Sequence, residues 1–236
     1  ALLGLAERPG AGRGWLLALF TWGSWVGGNP EATLVSALVA ACLLGPAARR
    51  SPAPRRFLLL ALGWAGVGTL LAGPYLLPGL EHLAQGLHHH TGLTGLDHYR
   101  PWTLAAFLLP GYYGPPHPHT PPWFGAAVVL LALYGLLARG GPAPFPTRTL
   151  GVLALLLLAK AVGLPGLNEI GRLPLLQMML FHKYGLPAAA LALALLAGRG
   201  VQALGERRVT AKRALLGGGG LLLAALGLHL WNRARA

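Results

Sequence analysis

Residues 23–38 read GSWVGGNPEATLVSAL, a Gly-Gly-Asn-Pro-Glu interruption set between two apolar runs. Soluble cores rarely break themselves in this way, and a single membrane helix would be spoiled by it. Asn29 is a good N-cap, Pro30 suits a first helical position, and Glu31 meets the positive end of a helix dipole. The stretch therefore predicts a helix that stops and restarts at a polar boundary. The rest of the chain must say which solvent lies on either side.

Composition answers that. Of 236 residues, 54% are hydrophobic and 11% charged, with a mean hydropathy of +0.55. An ordinary soluble domain carries about 25% charged residues, so a fold this poor in charge could not cover its surface against water. The expected surroundings are lipid. Open sheet edges do not survive in hydrocarbon, so the expected class is all-α, a polytopic membrane helix bundle forming one domain over 1–236. No secretory signal pattern opens the chain, the first fourteen residues read as loop, and the abrupt start predicts further residues upstream. Cys42, the single cysteine, excludes an intrachain disulfide.

The net charge of +13 does not indicate nucleic acid, because the basic residues form neither a face nor a tail. They sit in short loops, at 48–56, at Arg139 and Arg148, and at 199–213. That alternation is the positive-inside pattern. A helix needs about 20 residues to cross about 30 Å of hydrocarbon. Spans are expected over 57–77, 123–138, 149–164, 184–204 and 214–231, with shorter ones at 14–26 and 30–44, seven in all. Placing the basic loops in the cytoplasm makes 78–122 and 165–183 external. The charges of those two segments, Glu81, Asp97, Arg100, Glu169, Arg172 and Lys183, cancel. Within 78–122, the run PWTLAAFLLP at 101–110 predicts a short interfacial or re-entrant helix.

Four blocks then resemble a family: GGNPEA at 27–32, PYLLPGLEHLAQGLHHHTGL at 74–93, PWTLAAFLLPGYYG at 101–114, and LPLLQMMLFHKYGLPAAALALALLAGRGVQAL at 173–204. In order and spacing they are similar to the YfhO-like bacterial polytopic membrane proteins, which resemble the GT-C class of lipid-dependent glycosyltransferases. Asn29 stands where the family usually has His, and Gly111 where an acid is common. The first external loop, with its catalytic acid, has no counterpart here, so the chain looks like a middle portion of such a protein or a degenerate member. The resemblance implies transfer of a sugar from a polyprenyl-phosphate carrier at the outer face of the bacterial cytoplasmic membrane. Membrane lipids and that donor would be its partners. The alternative is a non-catalytic membrane scaffold or a transporter-like unit.

Candidate substrate-binding residues follow from charge at the outer face. Glu31 could help hold a donor phosphate through a metal, or could simply compensate the helix dipole. A divalent metal stays open as a cofactor, although one carboxylate makes a poor cation site and no metal ligand is assigned. Asp97, with His98, Tyr99 and Arg100, could form an acid/base or phosphate-binding cluster or an ordinary surface turn. Arg172, His182 and Lys183 could bind a lipid phosphate or snorkel to phospholipid. His88, His89 and His90, with His82, His98, His117 and His119 near them, lack paired ligand spacing and read as exposed loop. Lys160, close to its helix end, reads as a snorkelling anchor. No P-loop, nucleophile elbow, zinc-protease or dinucleotide fingerprint occurs. The topology predicts that a cysteine introduced as Leu80→Cys is modified by an impermeant thiol reagent from outside, whereas Ala53→Cys is not. Labelling of both from the same side would overturn it.

Overall fold

A computed structural model describes residues 1–27, 30–84, 96–99, 104–108, 124–138, 146–173, 176–177 and 180–233. Among these the chain is helical, with no strand. It divides into two compact units, Ala1–Leu93 and Thr94–Ala236. Among the described residues three helices are long and apolar enough to cross a membrane, which is consistent with an integral membrane protein. The remaining expected spans are helical but shorter or divided.

The first unit contains α1 (Leu2–Glu7), α2 (Ala11–Val26), α3 (Pro30–Arg50), α4 (Pro54–Leu71) and α5 (Gly73–Ala84). As the sequence predicts, α2 ends beside the glycines, and α3 restarts at Pro30 with Glu31 in its first turn. The buried Thr33 hydroxyl donates to the Ser24 carbonyl at 2.7 Å and ties the two helix ends together.

Three boundaries differ from expectation. The first residues are not loop: α1 forms because Leu5 and Ala6 bury fully against Ala47, Ala48, Phe57 and Ala61. That same burial carries α3 past residue 44 to Arg50. Pro46 forfeits one backbone hydrogen bond there, but the turn that follows it is held in the cluster. Finally, the expected span at 57–77 divides at Ala72. Pro74 cannot donate to the preceding turn, so α4 stops and α5 begins, continuing over 78–84 where an external segment was expected.

Helices α2 and α4 approach through small residues. The Trp64 indole occupies the space a side chain on Gly14 would need, and Gly68 lies against the Ala18 carbonyl. Trp15 meets Trp64 edge to face at 5.8 Å, and Trp25 Nε1 donates to Thr69 Oγ1 at 3.2 Å.

The second unit contains α6 (Leu104–Leu108), α7 (Ala126–Leu137), α8 (Thr147–Ala161), a 3-10 turn at Asn168–Arg172, α9 (Phe181–Gly205) and α10 (Ala211–Arg233). The α6 helix is the short element expected in PWTLAAFLLP. Helices α7 and α8, with 12 and 15 residues, reach only about 18 and 22 Å at 1.5 Å per residue. Packing against α9 organises the unit. Its buried face, Gly185, Leu186, Ala189, Leu193, Leu196, Gly200 and Ala203, repeats at three and four residues.

At the α7–α9 crossing the two backbones touch. A Cβ on Gly200 would fall on the Leu131 carbonyl, and one on Gly135 would fall on the Leu196 carbonyl. Such contact is how helices associate in lipid, where burial of apolar surface gives no drive. Arg199 Nε donates to the Gly135 carbonyl at 3.2 Å across the same crossing. Gly198, two residues away, faces open space. Gly200→Ala is therefore expected to destabilise by about 1–3 kcal/mol through forced separation of the backbones, while Gly198→Ala is neutral or slightly stabilising. Thermal melts of both variants in one detergent check this, and equal melting temperatures would sink it.

Candidate functional site

The polar cluster of the second unit is built on the C-terminal end of α8. That helix closes with Gly163 at φ +69°. The Gly163 N–H donates to the Lys160 carbonyl at 3.1 Å, and Leu164 donates to Ala159 at 2.9 Å. This is a Schellman end, which favours glycine for its left-handed backbone. Here glycine is required twice over, since a Cβ would also enter the His98 ring. The closure turns the chain back so that the orphan Ala161 carbonyl accepts the Tyr99 N–H at 2.7 Å. Segment 96–99 is thereby fixed against the helix end.

Asn168, in the 3-10 turn, completes the fixation. Its Nδ2 donates to the Leu96 carbonyl at 3.1 Å, and its Oδ1 accepts from Lys160 Nζ at 2.7 Å. Lys160 is only 3% exposed. It does not snorkel, contrary to the sequence reading, because Asn168 folds over it and the Phe181 ring lies 5.5 Å from its ammonium. The carboxylates of Asp97 and Glu169 act on the same ammonium by charge.

Of the residues singled out in sequence, Asp97 and His182 come together. The Asp97 backbone and carboxylate both act electrostatically on the His182 ring. The His182 ring meets Tyr99 edge to face at 4.9 Å, and Tyr99 meets Phe107 at 6.5 Å. Burial pushes the Tyr99 phenol above its ordinary value of 10.0, so it remains a neutral hydroxyl. Beneath lies an apolar floor of Phe107, Ala161 and Leu186. The Nδ1 atom of His182 is buried without a hydrogen-bond partner. The Asp97 side chain itself is exposed.

The other candidates stand apart. Arg172 pairs with Glu169 at 2.5 Å, both more than half exposed, an arrangement worth about 0–1 kcal/mol. Lys183 is exposed, its ammonium 5.2 Å from the Tyr184 ring. Glu31 belongs to the first unit, in the first turn of α3. Arg100 lies outside the described residues, as do His88, His89, His90, His117 and His119 and the side chain of His82. His98 turns its Nδ1 to the Leu96 carbonyl at 2.9 Å.

Among the described residues no three His, Cys, Asp or Glu side chains gather to hold a metal. Around Asp97 the described residues gather no further carboxylate or imidazole set, and a single carboxylate is a poor site for a divalent cation. The chemistry open to this cluster is that of its own side chains: a buried ammonium, an imidazole, a neutral phenol and an exposed carboxylate.

Sequence reasoning missed the Lys160–Asn168 pair. Its signal was present: Lys160 is the one charge in LGVLALLLLAKAVG, and an ionisable residue in such a run marks a site by default. No protein-family model matches the chain, and comparisons with curated proteins and with solved structures find no significant match.

Asn168→Leu removes the carbonyl that receives a buried ammonium, and is expected to cost about 1–3 kcal/mol. Lys160→Met combined with Asn168→Leu should recover most of that loss, because the charge leaves with its partner. A double-mutant cycle of melting temperatures measures the coupling, and simple additivity would refute it.

Proposed function

We propose that the chain is a polytopic protein of the bacterial cytoplasmic membrane, of the YfhO-like, GT-C-like kind, with 78–122 at the outer face. On this reading it binds the phosphate of a polyprenyl-phosphate-linked sugar donor, and the sugar passes to an acceptor outside. The observation that carries it is the burial of Lys160 beside segment 96–99. A positive charge held away from water acts on an approaching phosphate far more strongly than a solvated one. On this reading His182 and the neutral Tyr99 hydroxyl stand beside the donor phosphate, and exposed Asp97 serves as the carboxylate that orients an acceptor hydroxyl. In glycosyl transfer that hydroxyl attacks the anomeric carbon while the carrier phosphate departs with the bonding electrons. The hydroxyl proton needs an acceptor, a role a carboxylate can fill.

A second reading, a non-catalytic membrane scaffold, is favoured by the internal pairing of charge. Lys160 is bonded to Asn168 and feels the Asp97 and Glu169 carboxylates, and Arg172 is paired with Glu169, so these two cations already have partners within the fold.

Binding separates the two readings. The full chain, reconstituted in neutral lipid, is titrated with a polyprenyl phosphate and with the matching uncharged polyprenol. The transferase reading expects phosphate preference, reduced about tenfold or more in Lys160→Met, since a charge-assisted contact is worth roughly 1.5–3 kcal/mol. Arg172→Gln should leave the preference almost unchanged. No discrimination between phosphate and alcohol would favour the scaffold.

A further inference from the structure

Between α2, α3 and α4 of the first unit lies a cleft of about 430 Å³. That is within the roughly 300–1,000 Å³ of small-molecule sites. Among the described residues no charged side chain lines it. Four of the hydroxyls on its walls, those of Thr21, Thr33, Ser36 and Thr69, are turned to backbone carbonyls. Thr21 donates to Leu17, Thr33 to Ser24, Ser36 to Ala32 and Thr69 to Ala65, at 2.7–3.1 Å. With those donors engaged, the walls offer an occupant mainly methyl and methylene surface, much of it from alanines such as Ala37, Ala40 and Ala65. The occupant these walls suit is apolar.

Its length and its leaflet can also be read. Along α3 the lining runs from Thr33 to Leu44, about 16 Å at 1.5 Å per residue, or half of a hydrocarbon core about 30 Å thick. This matches one fatty-acyl chain of one leaflet. The Leu44 end of the cleft points at the α3–α4 turn, and both helices carry exposed arginines there. Arg49 and Arg50 close α3, and Arg55 and Arg56 open α4. A cluster of four arginines immediately beyond a membrane helix favours anionic headgroups. One end of the cleft therefore presents positive charge to a phosphate, while its length presents apolar wall to a tail.

We infer that the first unit binds a single anionic phospholipid, with one acyl chain in the α2–α3–α4 cleft and the headgroup phosphate at Arg49, Arg50, Arg55 and Arg56. The inference requires that these helices sit in a bilayer and is independent of sugar transfer, because none of these residues belongs to the Lys160–Asp97–His182 cluster. Such a lipid would fill space that α2, α3 and α4 leave open.

The test uses the full chain in nanodiscs of mixed phosphatidylcholine and phosphatidylglycerol, followed by release into the gas phase and counting of retained lipid. One phosphatidylglycerol should remain on the wild type, preferred over phosphatidylcholine by about tenfold, as expected for several near-surface cations. Ala40→Phe, which fills the cleft, should abolish retention. Arg49→Gln with Arg55→Gln should keep one lipid but bring the preference close to parity. Because Ala40→Phe could disturb folding, a second readout uses the native cleft. Phosphatidylglycerol brominated near its chain terminus should quench a fluorescence component that is missing in Trp25→Phe. Equal retention by folded Ala40→Phe, no preference in the wild type, or identical quenching with and without Trp25 would each overturn the inference.

Discussion

Backbone hydrogen bonding in the absence of water is the constraint from which the rest follows. In hydrocarbon an unpaired peptide group costs several kcal/mol, so each apolar run must close its own backbone within a helix. Side chains are then free to face outward. Leu70, Leu215 and Leu222 are each more than two-thirds exposed, and among the described residues none in the apolar window of α10 is buried. Such surfaces would drive aggregation in water. In lipid they need no cover.

Apolar burial acts where water is the alternative, as where Leu5 and Ala6 meet Ala48 and Phe57 on either side of the α3–α4 turn. Between helix segments surrounded by hydrocarbon it gives no drive, so association there depends on close backbone approach. Gly135 with Gly200, and Gly14 with Trp64, show two forms of it: backbone against backbone, and backbone against an indole. Polar bonds then set the register where the small residues permit contact. Arg199 reaches the Gly135 carbonyl, Tyr134 Oη donates to the Ala214 carbonyl at 3.0 Å, and Trp25 Nε1 donates to Thr69. These are few bonds, but each has weak competition from solvent.

The polar cluster at the end of α8 is the same principle applied to a charge. Lys160 is kept within the fold by three elements distant in sequence: the 3-10 turn through Asn168, the start of α9 through Phe181, and segment 96–99 through Leu96 and Asp97. Removing one member exposes the others to an unsatisfied buried group, which is costlier than never having placed the charge there. The cluster is therefore cooperative in a way that the exposed Arg172–Glu169 pair is not.

Composition and periodicity alone determined the all-helical class, the arginine-marked helix ends, the restart at Pro30 and the short helix within PWTLAAFLLP. Each depends on local chemistry: apolar run length, a proline's missing N–H, a carboxylate in a first turn. Tertiary structure decided the rest. Residues 2–7 become helical only because Phe57 and Ala47 bury them, and α3 outlasts Pro46 for the same reason. Of the residues chosen by charge, it joined Asp97 to His182 and left Arg172 to Glu169. It also converted Lys160 from an apparent anchor into a buried group. No local pattern records that Asn168, eight residues on, turns back to meet it. Charge signals an ionisable side chain in sequence, but what neutralises it is set by which distant elements pack around it.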